Sequence, residues 1–514
     1  MTRTRVLHSL WLLCILALVA VHFVHLRADF PNFSPWMDYA KYTDEGWYAN
    51  AAIRHSVSGS WYLHGDFNPA VALPVWPLLV AAVFHFTGVS LAAARALALA
   101  VFAANLWLTY LLVRTQAKAW TALLALTILA GSAFLYAFSR LAILEPLLMF
   151  FLMLSWLAIL HLPGTENPRR RFATLASTGI LLCLMVLTKT TAVFVIPSTL
   201  FLICNRCGYK WRPSLAAGTT VVLAALIPWS LYYFLLARPH YRVDYHYLFD
   251  SNKWPQPSTL GGWIAAFWYA LHGTLWISSI LCCTAAALLL VCALLARRLS
   301  HNPLIGASLL AAAGYIFFAG WHVNPQPRYN ETVIYPLAIV LSLAVAALLS
   351  AQHRTAICRA LGGLALTVIV VCTAVDTRKI IGYTRHPEYT FLNAAEGLTR
   401  YIDQHPNGNR MLLSISGDQI QLVTHLPSIC DDYGPWDLPY RIHIYRPGWY
   451  AQWNELDPGT LEDLHTQYTL QQVASFPAFD DDDRNNLVLY KLNPLPPAQQ
   501  RYEAIEEEKD NAGK

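Results

Sequence analysis

Apolar runs close to the ~20 residues that cross a bilayer's hydrocarbon recur along the chain from Val6 to Val375. The clear ones are Ser90 to Val113, Trp120 to Phe138, Pro146 to Leu162, Ser214 to Leu236, Leu275 to Ala296, Pro303 to Trp321, Thr332 to Ser350 and Ala360 to Val375. A shorter pair, Phe172 to Thr188 and Ala192 to Cys204, flanks Lys189. The first run, Val6 to Leu26 behind Arg3 and Arg5, is long and no small-x-small cleavage site follows it, so it reads as an uncleaved span. Val71 to Gly88, which carries Pro74, Pro77 and His85, decides the sidedness of everything after it. If it lies in the interface or re-enters, Arg3/Arg5, Arg114/Lys118, Arg169 to Arg171, Arg206/Lys210/Arg212, Arg297/Arg298 and Arg354/Arg359 share one side, the positive-inside arrangement. The acids make an independent check: of eleven Asp and Glu before residue 377, only Glu166 then falls inside. The pattern predicts a polytopic α-helical membrane protein of about eleven spans, with its N-terminus cytoplasmic.

The polar positions divide the rest. A transmembrane domain covers 1–376 and includes a long outer loop, 27–89, in which Asp29, Asp38, Asp44, Glu45 and Asp66 lie among Trp36, Tyr42, Trp47, Tyr48, Trp61, Tyr62 and Trp76. Such aromatics favour the headgroup level. Within the loop, DEGWYANAAIRH from Asp44 to His55 suits a short helix lying on the membrane. After Val375 acids become frequent and turn signals appear, which predicts a soluble α/β domain over 377–492, outside the cytoplasm. Its expected helices are Glu388 to Gln404 and Thr460 to Gln467. Its expected strands are Arg410 to Ser416, Thr469 to Phe476 and Asn486 to Leu492. The Glu/Lys-rich stretch 493–514 reads as a disordered tail, and Asp480 to Asp483 as a solvated turn.

Composition narrows the class. The chain is 56% hydrophobic and only 13% charged, against roughly 25% charged in soluble domains, which excludes a soluble enzyme. Nine of the ten cysteines sit in apolar runs or their basic flanks, so no disulfide framework is implied, and Cys204 with Cys207 is half a zinc site at most. The net charge of +5 follows membrane topology and does not indicate a nucleic-acid partner.

Ionisable groups near a membrane cost free energy unless paired or solvated, so their clustering points to function. Four outer turns concentrate them: Tyr42 to Tyr48, Ser139 to Pro146, Lys189 with Thr188, Thr190 and Thr191, and His322 to Glu331. Taken singly, Arg140 and Glu145 could be interfacial anchors and Lys189 a snorkelling side chain. Together they gather acids and cations where a phosphate-bearing lipid would reach them.

These residues carry a resemblance. Asp44-Glu-Gly-Trp-Tyr-Ala-Asn-Ala-Ala-Ile-Arg54, then Gly59-Ser-Trp-Tyr-Leu63 and the Pro-rich Pro74 to Leu79, resemble the first outer loop of the GT-C glycosyltransferases. The subgroup most alike holds the lipid A aminoarabinose transferases and the protein O-mannosyltransferases. Phe138 to Leu148 resembles their second outer turn, with Glu145 in place of the usual Asp, and Pro327-Arg-Tyr329 with Pro336 resembles a later one. The Lys that often precedes the Pro-rich segment is here Ala72-Leu73. The resemblance implies a many-helix fold with a catalytic acid on the first outer loop, a polyprenyl-phosphate sugar donor, an extracytoplasmic hydroxyl acceptor and no nucleotide sugar. The setting it implies is a bacterial inner or plasma membrane.

An acceptor hydroxyl attacking an anomeric carbon needs a base, and the departing lipid phosphate needs cations. Asp44 fits the first role, with Glu45 and Glu145 as companion acids. Arg140, Lys189 and Arg328 fit the second, with Tyr329 beside them, since guanidinium grips phosphate bidentately and ammonium acts as a point charge. No cofactor is required, and a divalent metal would substitute only if Asp44, Glu45 and Glu145 converged. Two other readings stay open: a transporter or flippase of lipid-linked sugars, and a non-catalytic envelope assembly subunit.

Overall fold

The computed structural model describes residues 3–31, 34–36, 38–41, 43–250, 256–275, 277–295, 302–322, 326–350, 356–431, 433–478 and 484–501. Tyr42, Arg297, Arg298, Arg354, Asp480 to Asp483 and the tail beyond Arg501 lie outside them.

The membrane part is built from α1 (Arg3–His22), α2 (Asp44–Ser58), α3 (Val75–Thr87), α4 (Leu91–Arg114), α5 (Ala119–Ala130), α6 (Ala133–Phe138), α7 (Glu145–Leu160), α8 (Pro168–Thr188), α9 (Ile196–Arg206) and α10 (Trp211–Tyr232). A π-helical turn at Tyr233–Ala237 leads to α11 (Arg238–His240) and α12 (Arg242–Asp250), then come α13 (Leu260–Leu275), α14 (Ser279–Leu295), α15 (Pro303–His322), α16 (Glu331–Leu349) and α17 (Ala356–Arg385). The starts are written in the sequence. Ser90 accepts from the amide of Ala93 to open α4, and Asn167 accepts from that of Arg170 to open α8, with Pro168 at the first helical position. α16 is the central post, 78% buried over its apolar window against 11% for α10. α10 presents Leu223, Ile227 and Leu231 outward, as a helix facing lipid does. α8 and α10 pack closely because Gly179 has no side chain: a Cβ there would lie 2.3 Å from the Val221 carbonyl oxygen.

Among the described residues, seven helices are long and apolar enough to cross a membrane, or eight if α13 and α14 form one broken span. The other apolar runs form shorter helices of 10–17 residues, Val75–Thr87, Ala119–Ala130, Glu145–Leu160 and Thr190–Arg206. Trp120 to Phe138 breaks at Gly131, where Ser132 caps a new helix by accepting from Leu135. The pair around Lys189 is joined by a 3₁₀ turn at Thr190–Val195. Leu275 to Ala296 starts as a helix only at Ser279, and α13 before it is an apolar helix the run pattern missed. The doubtful segment forms the 13-residue α3, about 20 Å long and too short to span.

The C-terminal part holds α18 (Thr390–Gln404), α19 (Gly417–Thr424), α20 (Leu438–Tyr445) and α21 (Pro458–His465). Its strands are β1 (Leu412–Leu413), β2 (Ser428–Ile429), β3 (Trp449–Trp453), β4 (Tyr468–Pro477) and β5 (Asn486–Pro494), in the order β2-β1-β3-β5-β4. β1 is parallel to both β2 and β3, whereas β5 runs antiparallel to β3 and β4. The strand expected over Arg410 to Ser416 shrinks to two residues. Asn493 and Pro494 are ordered in β5, opposite Thr469 and Tyr468, so the chain's order outlasts residue 492. α17 runs without a break past Val375 to Arg385 and carries the chain into this domain.

The sequence predicts that the Asp44–His55 helix lies on the membrane surface. Instead α2 is sandwiched, packing on α3 along one side and on α19 of the C-terminal domain along the other, with Asp44, Glu45, Gly46, Asn50 and Arg54 buried. A membrane-surface helix needs an aqueous polar face; here that face is covered by protein.

Candidate active site

Four segments far apart in sequence meet at the first turn of α2. Asp44 opens that helix and its Oδ2 lies 2.9 Å from Nη2 of Arg328. Arg328 sits in the 3₁₀ turn Pro327–Asn330 that leads into α16, and its guanidinium also pairs with Asp38. Asp38 Oδ2 accepts from the Arg328 amide at 2.9 Å, so backbone and side chain are gripped by one carboxylate. Arg328 Nε is 3.8 Å from Oε1 of Glu145, the first residue of α7. Glu145 in turn holds Lys189, which ends α8. The Tyr329 ring lies under both cations, 4.6 Å from Lys189 Nζ and 5.3 Å from the Arg328 guanidinium carbon. Beside Lys189, the Thr191 hydroxyl is 3.0 Å from that of Tyr315.

Asp38, Asp44, Glu145, Lys189 and Arg328 are all buried, so their charges act through little screening. Burial pushes the Asp44 carboxyl above the ordinary aspartate range, and Asp38 and Glu145 add to the rise while Arg328 opposes it. Three carboxylates, Asp38, Asp44 and Glu145, face two cations, and Glu331 adds a fully buried carboxyl whose two oxygens make no hydrogen bond. Such an assembly can take up a proton at Asp44, and an added phosphate would compete with the carboxylates for Arg328 and Lys189. Among the described residues no group of three His, Cys, Asp or Glu is arranged to hold a metal ion.

Of the residues singled out in the sequence, Asp44, Glu145, Lys189, Arg328 and Tyr329 are brought together. Glu45 and Arg140 stand apart. Glu45 points away from Asp44, as neighbours on a helix must, and is clamped by Arg95 Nε at 2.7 Å, Arg95 Nη2 at 2.6 Å and the Ala142 amide at 2.8 Å. That makes it a strut between the first loop, α4 and the second turn. Arg140 donates to the carbonyls of Val24 at 2.8 Å and His25 at 2.6 Å and to the Tyr136 hydroxyl at 2.6 Å. It ties the end of α1 to α6, away from the Asp44 cluster. The residue sequence reasoning missed is Asp38. The signal is a second acid six residues before Asp44 in the same loop.

An apolar cleft adjoins the cluster. It is lined by Ala72, Leu187, Thr190, Val222, Leu226 and Trp229, among others, between α8, α9 and α10. Thr190, in the cleft's lining, directly follows Lys189 in the chain.

With this geometry in hand, three comparisons bear on the chain. Residues 10–242 match the family Dolichyl-phosphate-mannose-protein mannosyltransferase. No curated protein matches the chain in sequence. The structure is similar to ArnT from Cupriavidus metallidurans bound to undecaprenyl phosphate, with a TM-score of 0.62 at 13% identity over 96% of this chain and 99% of that one. It is also similar to the archaeal oligosaccharyltransferase AglB from Archaeoglobus fulgidus, in complex with an inhibitory peptide and a dolichol-phosphate, with a TM-score of 0.53 at 12% identity over 91% of this chain and 74% of that one. The chain thus has seven helices, among the described residues, long and apolar enough to cross a membrane, shares its fold with these two proteins, and over residues 10–242 matches the Dolichyl-phosphate-mannose-protein mannosyltransferase family.

Proposed function

We propose that the protein transfers a sugar from a polyprenyl-phosphate donor to an extracytoplasmic hydroxyl, with inversion at the anomeric carbon. The observation that carries this reading is the buried meeting of Asp44, Arg328, Lys189 and Glu145 beside an apolar cleft. A polyprenyl-phosphate sugar has the matching halves: a long apolar chain for the cleft and an anion for the cations. ArnT, which superposes on nearly the whole chain, holds undecaprenyl phosphate.

Asp44 takes the acceptor's proton as the new oxygen–carbon bond forms. The bond from the anomeric carbon to the phosphate oxygen breaks, and the negative charge gathering on the departing polyprenyl phosphate meets Arg328 and Lys189. Donor binding and base strength are linked. Arg328 is paired with Asp44 in the free protein. An arriving phosphate competes for that guanidinium and adds negative charge nearby, and both effects raise the proton affinity of Asp44. The base therefore strengthens when the donor is seated.

The test is mass spectrometry of polyprenyl-phosphate lipids in cells lacking the gene. One polyprenyl-phosphate sugar should accumulate, and its mass names the donor; unchanged lipids would refute the reading. A flippase would leave the same lipid unconsumed in intact cells but would show no transfer by purified protein, so the purified protein must also release polyprenyl phosphate. Sidedness follows the partition of charges. Cysteines placed near Asp66 and Gln326 in a cysteine-free background should react with impermeant thiol reagents in cells, and ones near Arg170 should not. Labelling at Arg170 would invert the arrangement and remove the extracytoplasmic acceptor.

A further inference from the structure

The first turn of α2 is finished by another domain. A helix begins with backbone amides that have no partner inside it, and a neighbouring side chain usually accepts from the second or third of them. Here the Thr43 hydroxyl donates to Asp44 Oδ1 at 3.1 Å. The amide of the third helical residue, Gly46, donates instead to Oε1 of Gln419 at 2.7 Å, and Gln419 lies on α19 of the C-terminal domain. The same amide group of Gln419 gives Nε2–H to Oε2 of Glu45 at 3.2 Å. One glutamine thus satisfies an amide and a carboxylate on the two residues that follow Asp44, and both of its functions are used.

Two further features make the contact specific. A Cβ on Gly46 would lie 2.2 Å from the Gln419 nitrogen and 2.3 Å from the Asp418 carbonyl carbon, so only glycine lets α19 come this close. Three turns along α2, Arg54 binds Asp418 at 2.6 Å, Asp66 at 2.6 Å and the Gln421 side chain, all buried. α19 is therefore held at both ends of α2. The Arg54 pairs fix its position, and Gln419 reads the first turn.

We propose that Gln419 is a positioning residue for the base: the C-terminal domain caps the helix that presents Asp44 and so sets the direction of its carboxylate. The proposal rests on Asp44 being the base. It gives the C-terminal domain a part in the chemistry without any contact with substrate. Misplacing a reacting group by an ångström can cost on the order of 100-fold, so the loss of a cap that orients one should be visible in turnover.

The experiment is steady-state transfer by the purified full-length protein. Gln419→Met keeps the side-chain length and removes both hydrogen bonds. It should lower kcat by roughly 10- to 100-fold, leave the donor KM within a few-fold, and shift the acid limb of kcat/KM, which reports the base in the free enzyme. A merely structural contact would leave that limb in place. Gly46→Ala pushes α19 away and should behave like Gln419→Met. Should Gln419→Met fail to fold, Gly46→Ala decides: parental kcat and an unmoved acid limb in folded Gly46→Ala would overturn the proposal. Parental kcat and an unmoved acid limb in folded Gln419→Met would do the same. Full activity in Asp44→Asn would instead remove the base assignment itself, which separates the two failures.

Discussion

Asp44→Asn should lower turnover by at least the ~100-fold typical of losing a general base while leaving donor affinity intact or improved. The substitution keeps size and hydrogen bonding and removes the basic oxygen. It also frees Arg328 from one of its two closest carboxylates, so the phosphate meets a less occupied guanidinium. A fall in kcat with an unchanged or lower donor KM is the expected signature. The wild-type protein should lose kcat/KM toward acid pH as Asp44 gains a proton. That limb should lie above the ordinary aspartate range, since burial outweighs the pull of Arg328. Glu145→Gln is the control. Glu145 is engaged by Lys189, so it should affect donor use more than the acid limb; a full loss of kcat in Glu145→Gln, with Asp44→Asn near normal, would move the base to α7.

The second large effect belongs to Arg328. Arg328→Ala removes the group that Asp38 and Asp44 both hold and that approaches Glu145 at 3.8 Å. Breaking a buried pair in this way costs about 3–5 kcal/mol, because the partners are left as uncompensated charges. Thermal unfolding in detergent should show it. In protein that still folds, loss of a cation facing the leaving group should cost roughly 100- to 1000-fold in turnover. Arg328→Lys keeps a positive charge without the planar fork. It should restore most of the stability but less of the activity, since one ammonium cannot hold Asp38, Asp44 and a phosphate oxygen together. Parental donor use by Arg328→Ala would leave Lys189 alone on the phosphate.

How much of this was legible in the sequence depends on distance along the chain. Asp44 and Glu145 stood out because each begins a helix at an outer turn, and local pattern records that. The pairing of Arg328 with Asp38 joins residues 290 positions apart, and no period or turn signal spans such a gap. Arg140 misled because charge at an outer turn looks the same whether it faces a ligand or three backbone and phenolic oxygens. The burial of α2 was hidden for a related reason: its polar face, read as facing water, faces α19. Within the C-terminal domain the longer strands β4 and β5 were visible from alternation. β1 was expected within Arg410 to Ser416 but is only two residues long, β2 is a two-residue bridge too short to carry a period, and β3 is buried at four of its five positions, Gln452 excepted, which erases alternation.

The cleft between α8, α9 and α10 has a consequence for how a substrate reaches the cluster. Val193, Val222 and Leu226 in its lining are more than 40% exposed, so the groove opens on the same side as the outward apolar face of α10. A lipid-linked donor would use this as a lateral doorway, sliding in without leaving the bilayer. Withdrawing a polyprenyl chain of ~50 carbons into water would cost on the order of 40 kcal/mol at about 0.8 kcal/mol per methylene, far more than any binding site returns. A doorway in the plane of the membrane removes that cost, because the chain exchanges one apolar wall for another. Donor capture then depends on two-dimensional diffusion and on the donor's surface density in the bilayer, and its rate should change with membrane composition even when every residue of the site is unchanged.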